Sequence, residues 1–407
     1  MISHRSVAVG AALLLALSAC GGDGSDSKGK DSSGTGNKAA GQGFTPPDLE
    51  ALDKLGEPEG EVNIVAWAGY VEDGSTDPAV DWVTPFEEET GCQVNVKTAP
   101  TSDDMVNLMK TGQYDVVSAS GDASLRLIAS GDVEPVNTDL IPNYADVFEA
   151  LKMQPWNSVD GVAYGVPHGR GANLLMYNTE EVDPAPTSWG VVFDADSPYK
   201  GRITAYDSPI YIADAALYLM KTKPELGIEN PYALDDEQFA AAVDLLKQQN
   251  GLIGEYWSDY LKEIQAFKNG DSVVGTTWQI IVNLAQAEEA KVEAVLPEEG
   301  ATGWSDTWMV ATKSQNKTCA YKWLDHIISP TANAQVAEWF GEAPSNSKSC
   351  AETADPNHCE VFHADDEAYF DQVWYWTTPI AQCLDGRTDV TCKDYGEWTT
   401  AWQEIKG

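Results

Sequence analysis

The sequence predicts an α/β fold of layered helices and sheets. Three observations point there. The segment from Glu61 to Gly131 alternates strand, helix, strand, helix, strand, helix. A second alternating series starts near His168. The chain has 407 residues, enough for one or two such domains with cores of ordinary size.

The elements follow in order. Glu61–Trp67 alternates polar and apolar, as a strand entering a core does. Trp82–Thr90 reads as a helix closed by Gly91, and Cys92–Ala99 as a second alternating strand. Ser102-Asp103-Asp104 has the form of a helix cap with an acidic first turn. Tyr114–Ser120 is a third strand, and a helix follows Gly121. This start predicts a largely parallel sheet. Farther on, Gly201–Asp207, Ser272–Trp278, Val292–Pro297 and Thr307–Thr312 read as strands. Asp235–Gly251 is a helix with an Asp cap, an apolar face of Phe239, Ala242, Val243 and Leu246, and a Gly stop. Helices are expected from Ala320 and Thr331, before an aromatic tail containing four cysteines.

The N-terminus sets the compartment. His4 and Arg5 precede an apolar run from Val7 to Leu17, which at eleven residues is too short to span a bilayer but suits an export signal. The run ends in Leu17-Ser18-Ala19-Cys20, which resembles the bacterial lipobox, so residues 1–19 are expected to be a signal peptide and Cys20 lipidated. Residues 21–44 are mostly Gly, Ser, Asp and Lys and read as a tether, with a reach of roughly 25–30 Å as a flexible coil. The lipid would be the only membrane attachment.

The formal charge is −39, from 25 Lys and Arg against 64 Asp and Glu, which argues against nucleic acid or anionic lipid as a partner and is compatible with a cationic ligand. After Cys20 six cysteines remain: Cys92, Cys319, Cys350, Cys359, Cys383 and Cys392. In an exported chain they read as disulfides, with Cys350–Cys359 and Cys383–Cys392 as local pairs and Cys92–Cys319 left over. His358, Cys359 and His363 lack the spacing of a zinc site, so no metal is expected.

In open α/β sheets ligands bind beyond the carboxyl ends of strands. The residues there are Trp67, Tyr70, Ser120, Asp122, Asp207, Trp278, Trp304 and Asp306. Any one alone reads as a core aromatic or a helix cap. Together they offer four aromatic faces and three carboxylates, which suit an organic cation.

VAWAGYVEDG (65–74), DMVNLMKTGQYDVVSASGDASLRLIASG (104–131), GRITAYDSPIYIADAALYLMKTKPELGI (201–228), EEGATGWSDT (298–307) and CAYKW (319–323) resemble the spermidine/putrescine family of periplasmic binding proteins, in particular its YdcS-like branch. The resemblance covers about residues 60–345 and part of the tail. It implies a two-lobed periplasmic-binding-protein-like fold of type II, whose lobes are joined by crossing strands and close over ligand. Carried over, lobe 1 is 61–167 plus 306–350, lobe 2 is 168–305 plus 351–407, and 20–60 is the lipidated Cys and tether. Trp67 and Tyr70 match the family's W-x-x-Y, Ser120 its binding Ser, Asp207 an ammonium-binding Asp, and Trp278, Trp304 and Asp306 its Trp and W-x-D. The sequence departs from the pattern at Ile210, where polyamine binders carry Glu. It departs also at Arg170, where an aromatic often stands, and at Glu342, where a Tyr would sit.

These features imply a monomeric binding protein for a small amine such as putrescine or spermidine, delivering it to an ABC permease with a cytoplasmic ATPase. No cofactor is implied, and no Gly-rich phosphate loop is present. A zwitterion such as γ-aminobutyrate is the alternative, with Arg170 holding its carboxylate. A polyhydroxybutyrate synthase-like activity, described for some members of the branch, needs an activated nucleophile. The sequence has no G-x-S-x-G or G-x-C-x-G elbow, and His168 has no triad context.

Overall fold

The computed structural model describes residues 45–407. The apolar run 7–17, Cys20 and the tether 21–44 lie outside the described residues.

The chain lays down β1 (Glu61–Ala66), β2 (Gln93–Thr98) and β3 (Val116–Ala119) with helices Val83–Thr90, Ser102–Lys110 and Gly121–Ser130 between and after them. A small hairpin, β4 (Ser158–Val159) with β5 (Val162–Ala163), precedes β6 (Val166–Pro167) and the long β7 (Gly169–Asn178). Then come β8 (Ile203–Tyr206), β9 (Ile253–Trp257), β10 (Val274–Trp278), β11 (Val292–Val295), β12 (Ala301–Trp304), β13 (Thr307–Val310), β14 (Ala343–Pro344) and β15 (Val373–Tyr375).

Two sheets result, and the fold is two-lobed α/β. One has the order β2-β1-β3-β13-β6, and the other β15-β12-β7-β10-β8-β9, with β11 and β14 also paired to β7. Both are mixed, while the three strands of the β-α-β-α-β start are parallel as expected. β1 runs parallel to β2 and β3, but β13 is antiparallel to β3. β7 is antiparallel to β10, β11, β12 and β14. The reason is connectivity: β7 enters its sheet directly from the other one, not by a helical crossover within it.

Local chemistry explains most element ends. Gly91 closes its helix with φ 72°, a left-handed backbone that glycine adopts without a Cβ clash. Asp235 caps the helix Asp236–Asn250 in a reciprocal box with Gln238. One expected cap shifts: Thr101, not Ser102, accepts from the Asp104 amide. The helices expected from Ala320 and Thr331 begin earlier, at Lys317 and Pro330. Disulfides join Cys92–Cys319, Cys350–Cys359 and Cys383–Cys392. Among the described residues no helix is long and apolar enough to cross a membrane.

The connections between sheets position the site. The chain passes from β6 in the first sheet to β7 in the second through His168. It returns from β12 to β13 through Ser305 and Asp306. It crosses again from the helix Pro330–Phe340 to β14 through Gly341 and Glu342. The first two crossings run side by side, with the His168 amide donating to the Asp306 carbonyl at 2.8 Å. The tail then adds β15 to the edge of the second sheet.

Candidate ligand-binding cleft

The three crossings bring His168, Asp306 and Glu342 into one buried cluster. Tyr70, just past β1, donates its hydroxyl hydrogen to Asp306 Oδ2 at 2.8 Å. Ser120 precedes the helix Gly121–Ser130, but its side chain does not cap that helix. It donates to Asp306 Oδ1 at 2.6 Å. Both oxygens of one hinge carboxylate are thus held by strand-end residues of the first sheet. The indole N–H of Trp67 is buried without a partner and adds a favourable influence on the same carboxylate.

Glu342 is more exposed energetically than geometrically. It is fully buried and neither oxygen has a hydrogen-bond partner. His168 Nε2 lies 3.1 Å from Oε1, off the line of a hydrogen bond. Trp308 donates to His168 Nδ1 at 2.8 Å, so the neutral ring carries its proton on Nε2, facing Glu342. Gly169 is required beside it, because a Cβ there would meet the Glu342 carboxyl carbon at 2.4 Å. Burial, then the nearby Asp306 charge, pushes the Glu342 carboxyl well above its ordinary range. Burial pushes Asp306 up to about 6, against the pull of Ser120 and Tyr70. Burial lowers His168 to about 3, so it supplies no positive charge at neutral pH. Among the described residues no Lys or Arg offsets either carboxylate. Two such groups side by side without a cation cost several kcal/mol if both ionise.

Aromatic faces surround this acid. Tyr70 packs at 3.9 Å on the His168 ring and edge-on to Phe340 at 4.5 Å. Trp304 packs over Gly171 and meets Phe340 at 90°. Trp278 meets Trp304 at 6.4 Å, and its N–H donates to Asn173 Oδ1 at 2.9 Å. The tail supplies a wall that the sequence did not reveal. Trp376 stacks on Tyr206 at 5.7 Å, and Tyr375 packs on Trp156 at 4.8 Å. A Cβ on Gly121 would lie 1.7 Å from the Trp376 carbonyl oxygen, so tail and first-sheet helix touch backbone to backbone. Thr378 adds a hydrogen bond to the Gly121 carbonyl at 2.9 Å.

Three of the sequence-derived residues stand apart from the Asp306 cluster. Asp122 is buried, but it accepts from Ser102 Oγ at 2.8 Å and Tyr395 OH at 3.4 Å. Asp207 does end β8, yet Lys406 from the last helix holds both its oxygens at 2.6 Å, and Trp402 donates to it. Its negative charge already has a cation. Arg170 bonds Glu367 at 2.9 Å and the Ala364 carbonyl at 3.0 Å, and lies 3.7 Å over the Phe370 ring. Its guanidinium is committed to the tail, which corrects the expectation that it faces a ligand carboxylate. His168, Tyr206 and Trp376 are the additions. The sequence signal for His168 was its place at the lobe boundary, and the tail aromatics gave none.

Among known proteins, a family of bacterial extracellular solute-binding proteins matches residues 81–362, more than half of the chain. The chain is a bacterial extracellular solute-binding protein. Its family binds solutes for ABC transport outside the cytoplasm and is not enzymatic. This solute-binding protein is 24% identical over 284 residues to the spermidine/putrescine-binding periplasmic protein of Escherichia coli, covering 69% of the chain and 76% of the relative. It is 25% identical over 298 residues to the putrescine/cadaverine-binding protein of Pseudomonas aeruginosa, covering 69% and 78%. In structure it is similar to a putative spermidine/putrescine ABC transporter protein from Listeria monocytogenes, with a TM-score of 0.69, 19% identity and coverage of 86% and 99%. A GABA receptor structure also shares the fold, with a TM-score of 0.59 at 20% identity and coverage of 85% and 95%.

Proposed function

We propose that this solute-binding protein captures a small cationic amine, of the putrescine or spermidine class, between its lobes. One observation carries the reading. Asp306 and Glu342 sit buried together at the hinge, Asp306 held by Tyr70 and both faced by aromatic rings, without a cation of the protein's own among the described residues. An ammonium group is the ligand chemistry that relieves this arrangement, by charge-assisted hydrogen bonds to the carboxylates and cation–π contact with the rings. Relatives named for putrescine and spermidine point the same way.

In this reading the lobes are 61–167 with 306–350 and 168–305 with 351–407. Cys20 carries the lipid that holds the protein outside the cytoplasmic membrane. The closed, loaded form is what an ABC permease with its cytoplasmic ATPase accepts, and ligand selects that form from an open one. A zwitterion such as γ-aminobutyrate is the second reading. The unpartnered N–H groups of Trp67 and Trp376 favour it, since a ligand carboxylate would accept from them. Arg170 does not, being held by Glu367.

Thermal unfolding against a panel tests this: putrescine, spermidine, γ-aminobutyrate, other amino acids and sugars. At 100 times its dissociation constant a ligand stabilises by about 2.7 kcal/mol. A shift with the amines is expected. A shift with γ-aminobutyrate alone selects the second reading, and a shift with neutral sugars alone overturns both.

A further inference from the structure

We propose that a small cavity behind Trp278 and Tyr206, with Asp214 at its base, is a socket for the distal ammonium of a diamine whose first ammonium is held at Asp306. This rests on the amine reading above.

The cavity lies in the second lobe and has a volume of about 10 Å³, the size that admits one water-sized group, which an ammonium head is. Four aromatic residues line it, Tyr211 and a cluster of three. Tyr206, Trp257 and Trp278 face one another with ring centroids 5.1 to 5.6 Å apart. Among the described residues that line it, the one charged group is the Asp214 carboxylate. Asp214 is buried at the start of the helix Ile212–Thr222, and among the described residues Thr302 Oγ1 alone donates to its side chain, at 2.9 Å. Thr276 lines the same cavity, and its hydroxyl is buried without any partner. A buried hydroxyl without a partner and a buried carboxylate with one donor each cost free energy that an incoming donor relieves. An ammonium brings three, and the aromatic walls complement its charge.

Tyr206 and Trp278, which line the cavity, also face the cleft. Tyr206 stacks on the tail residue Trp376 and lies within the field of Asp306 and Asp122. Trp278 meets Trp304 on the cleft side. A relay ties the two spaces together: Trp278 donates to Asn173, Asn173 to Thr302 at 2.6 Å, and Thr302 to Asp214. The orientation of the cleft tryptophan is therefore linked to the carboxylate at the socket's base. Burial raises Asp214 to about 7, so a cation in the socket would fix its ionised form.

The test is calorimetric titration of the purified protein with putrescine and with n-butylamine, which has the same carbon chain and one ammonium. Wild type is expected to prefer putrescine by at least about 10-fold, the effect of one charge-assisted contact. Asp214→Asn keeps an acceptor for Thr302 and should weaken putrescine by about 10-fold while leaving n-butylamine unchanged. Thr276→Val, nearly isosteric, should weaken putrescine about 3-fold and serves alone if Asp214→Asn does not fold. If these variants bind putrescine like wild type, the socket is wrong and the amine reading stands. If wild type binds neither amine, the amine reading falls and the socket with it.

Discussion

Tyr70 and Asp306 are 236 positions apart in sequence and joined by a 2.8 Å hydrogen bond in the fold. The bond ties the end of the first strand to the hinge crossing between the two sheets. Tyr70 donates, so it recognises Asp306 as an acceptor in either protonation state. Ser120 holds the second oxygen of the same carboxylate at 2.6 Å. Asp306 is thereby fixed in place before any ligand arrives. The orientation of the carboxylate is preorganised and its charge is left uncompensated, which is the condition under which an incoming cation gains most.

The charge makes a prediction about pH. Burial raises Asp306 from 3.8 to about 6. Below about 3.8 both folded and unfolded chains are protonated there, and Asp306 costs no stability. As pH rises through 6 the folded form must give up its proton unfavourably, at a cost of about 3 kcal/mol when complete. A bound cation removes that cost by favouring the ionised form. Putrescine affinity should therefore rise by up to about tenfold per pH unit from 4.5 to 6, and rise further to above about 7 as Asp214 ionises. Titration calorimetry across this range checks it, and proton release on binding should fade as pH passes these values.

Gly121 offers a test of closure. A methyl there would strike the Trp376 carbonyl oxygen at 1.7 Å. Gly121→Ala should leave the stability without ligand within about 1 kcal/mol of wild type, since alanine is the better helix residue. It should cost at least about tenfold in putrescine affinity and abolish the compaction that small-angle scattering reports on ligand addition. Normal affinity with normal compaction would show that the tail does not seal the cleft.

Arg170→Met separates the two ligand readings. The guanidinium stacks on Phe370 and bonds Glu367, so its loss should destabilise the tail by about 1–2 kcal/mol. The ratio of putrescine to γ-aminobutyrate affinity should not change. Selective loss of γ-aminobutyrate binding would place Arg170 in the site after all.

Local chemistry made much of this readable in advance. Asp235 with Gln238, the glycine at 91 and the alternation in Glu61–Trp67 each act within a few residues, so they are legible in a short window. Tyr70, Ser120 and Asp306 were legible as strand-end residues, although their mutual bonds were not. Long-range capture of charge escaped the sequence. Asp207 ends its strand as expected but is held by Lys406, 199 positions away. Glu342 meets His168 because two hinge crossings run together, and no local pattern encodes that. The strand Gly169–Asn178 was not anticipated, because it is buried along almost its whole length and lacks alternation. Asp214, four positions after Ile210, sits in the first turn of the helix Ile212–Thr222, where an acidic residue has an ordinary local role and so gives no signal of a site.

The most direct measurement is a calorimetric titration of putrescine into wild type and Asp306→Asn at pH 7.5. The amide keeps the shape of the carboxylate and removes its charge. Wild type should bind with roughly micromolar affinity, and the variant should lose about 2 kcal/mol, or roughly 30-fold, while melting no lower without ligand. Equal binding by the two proteins would contradict the claim that the hinge carboxylate is where the cation is held.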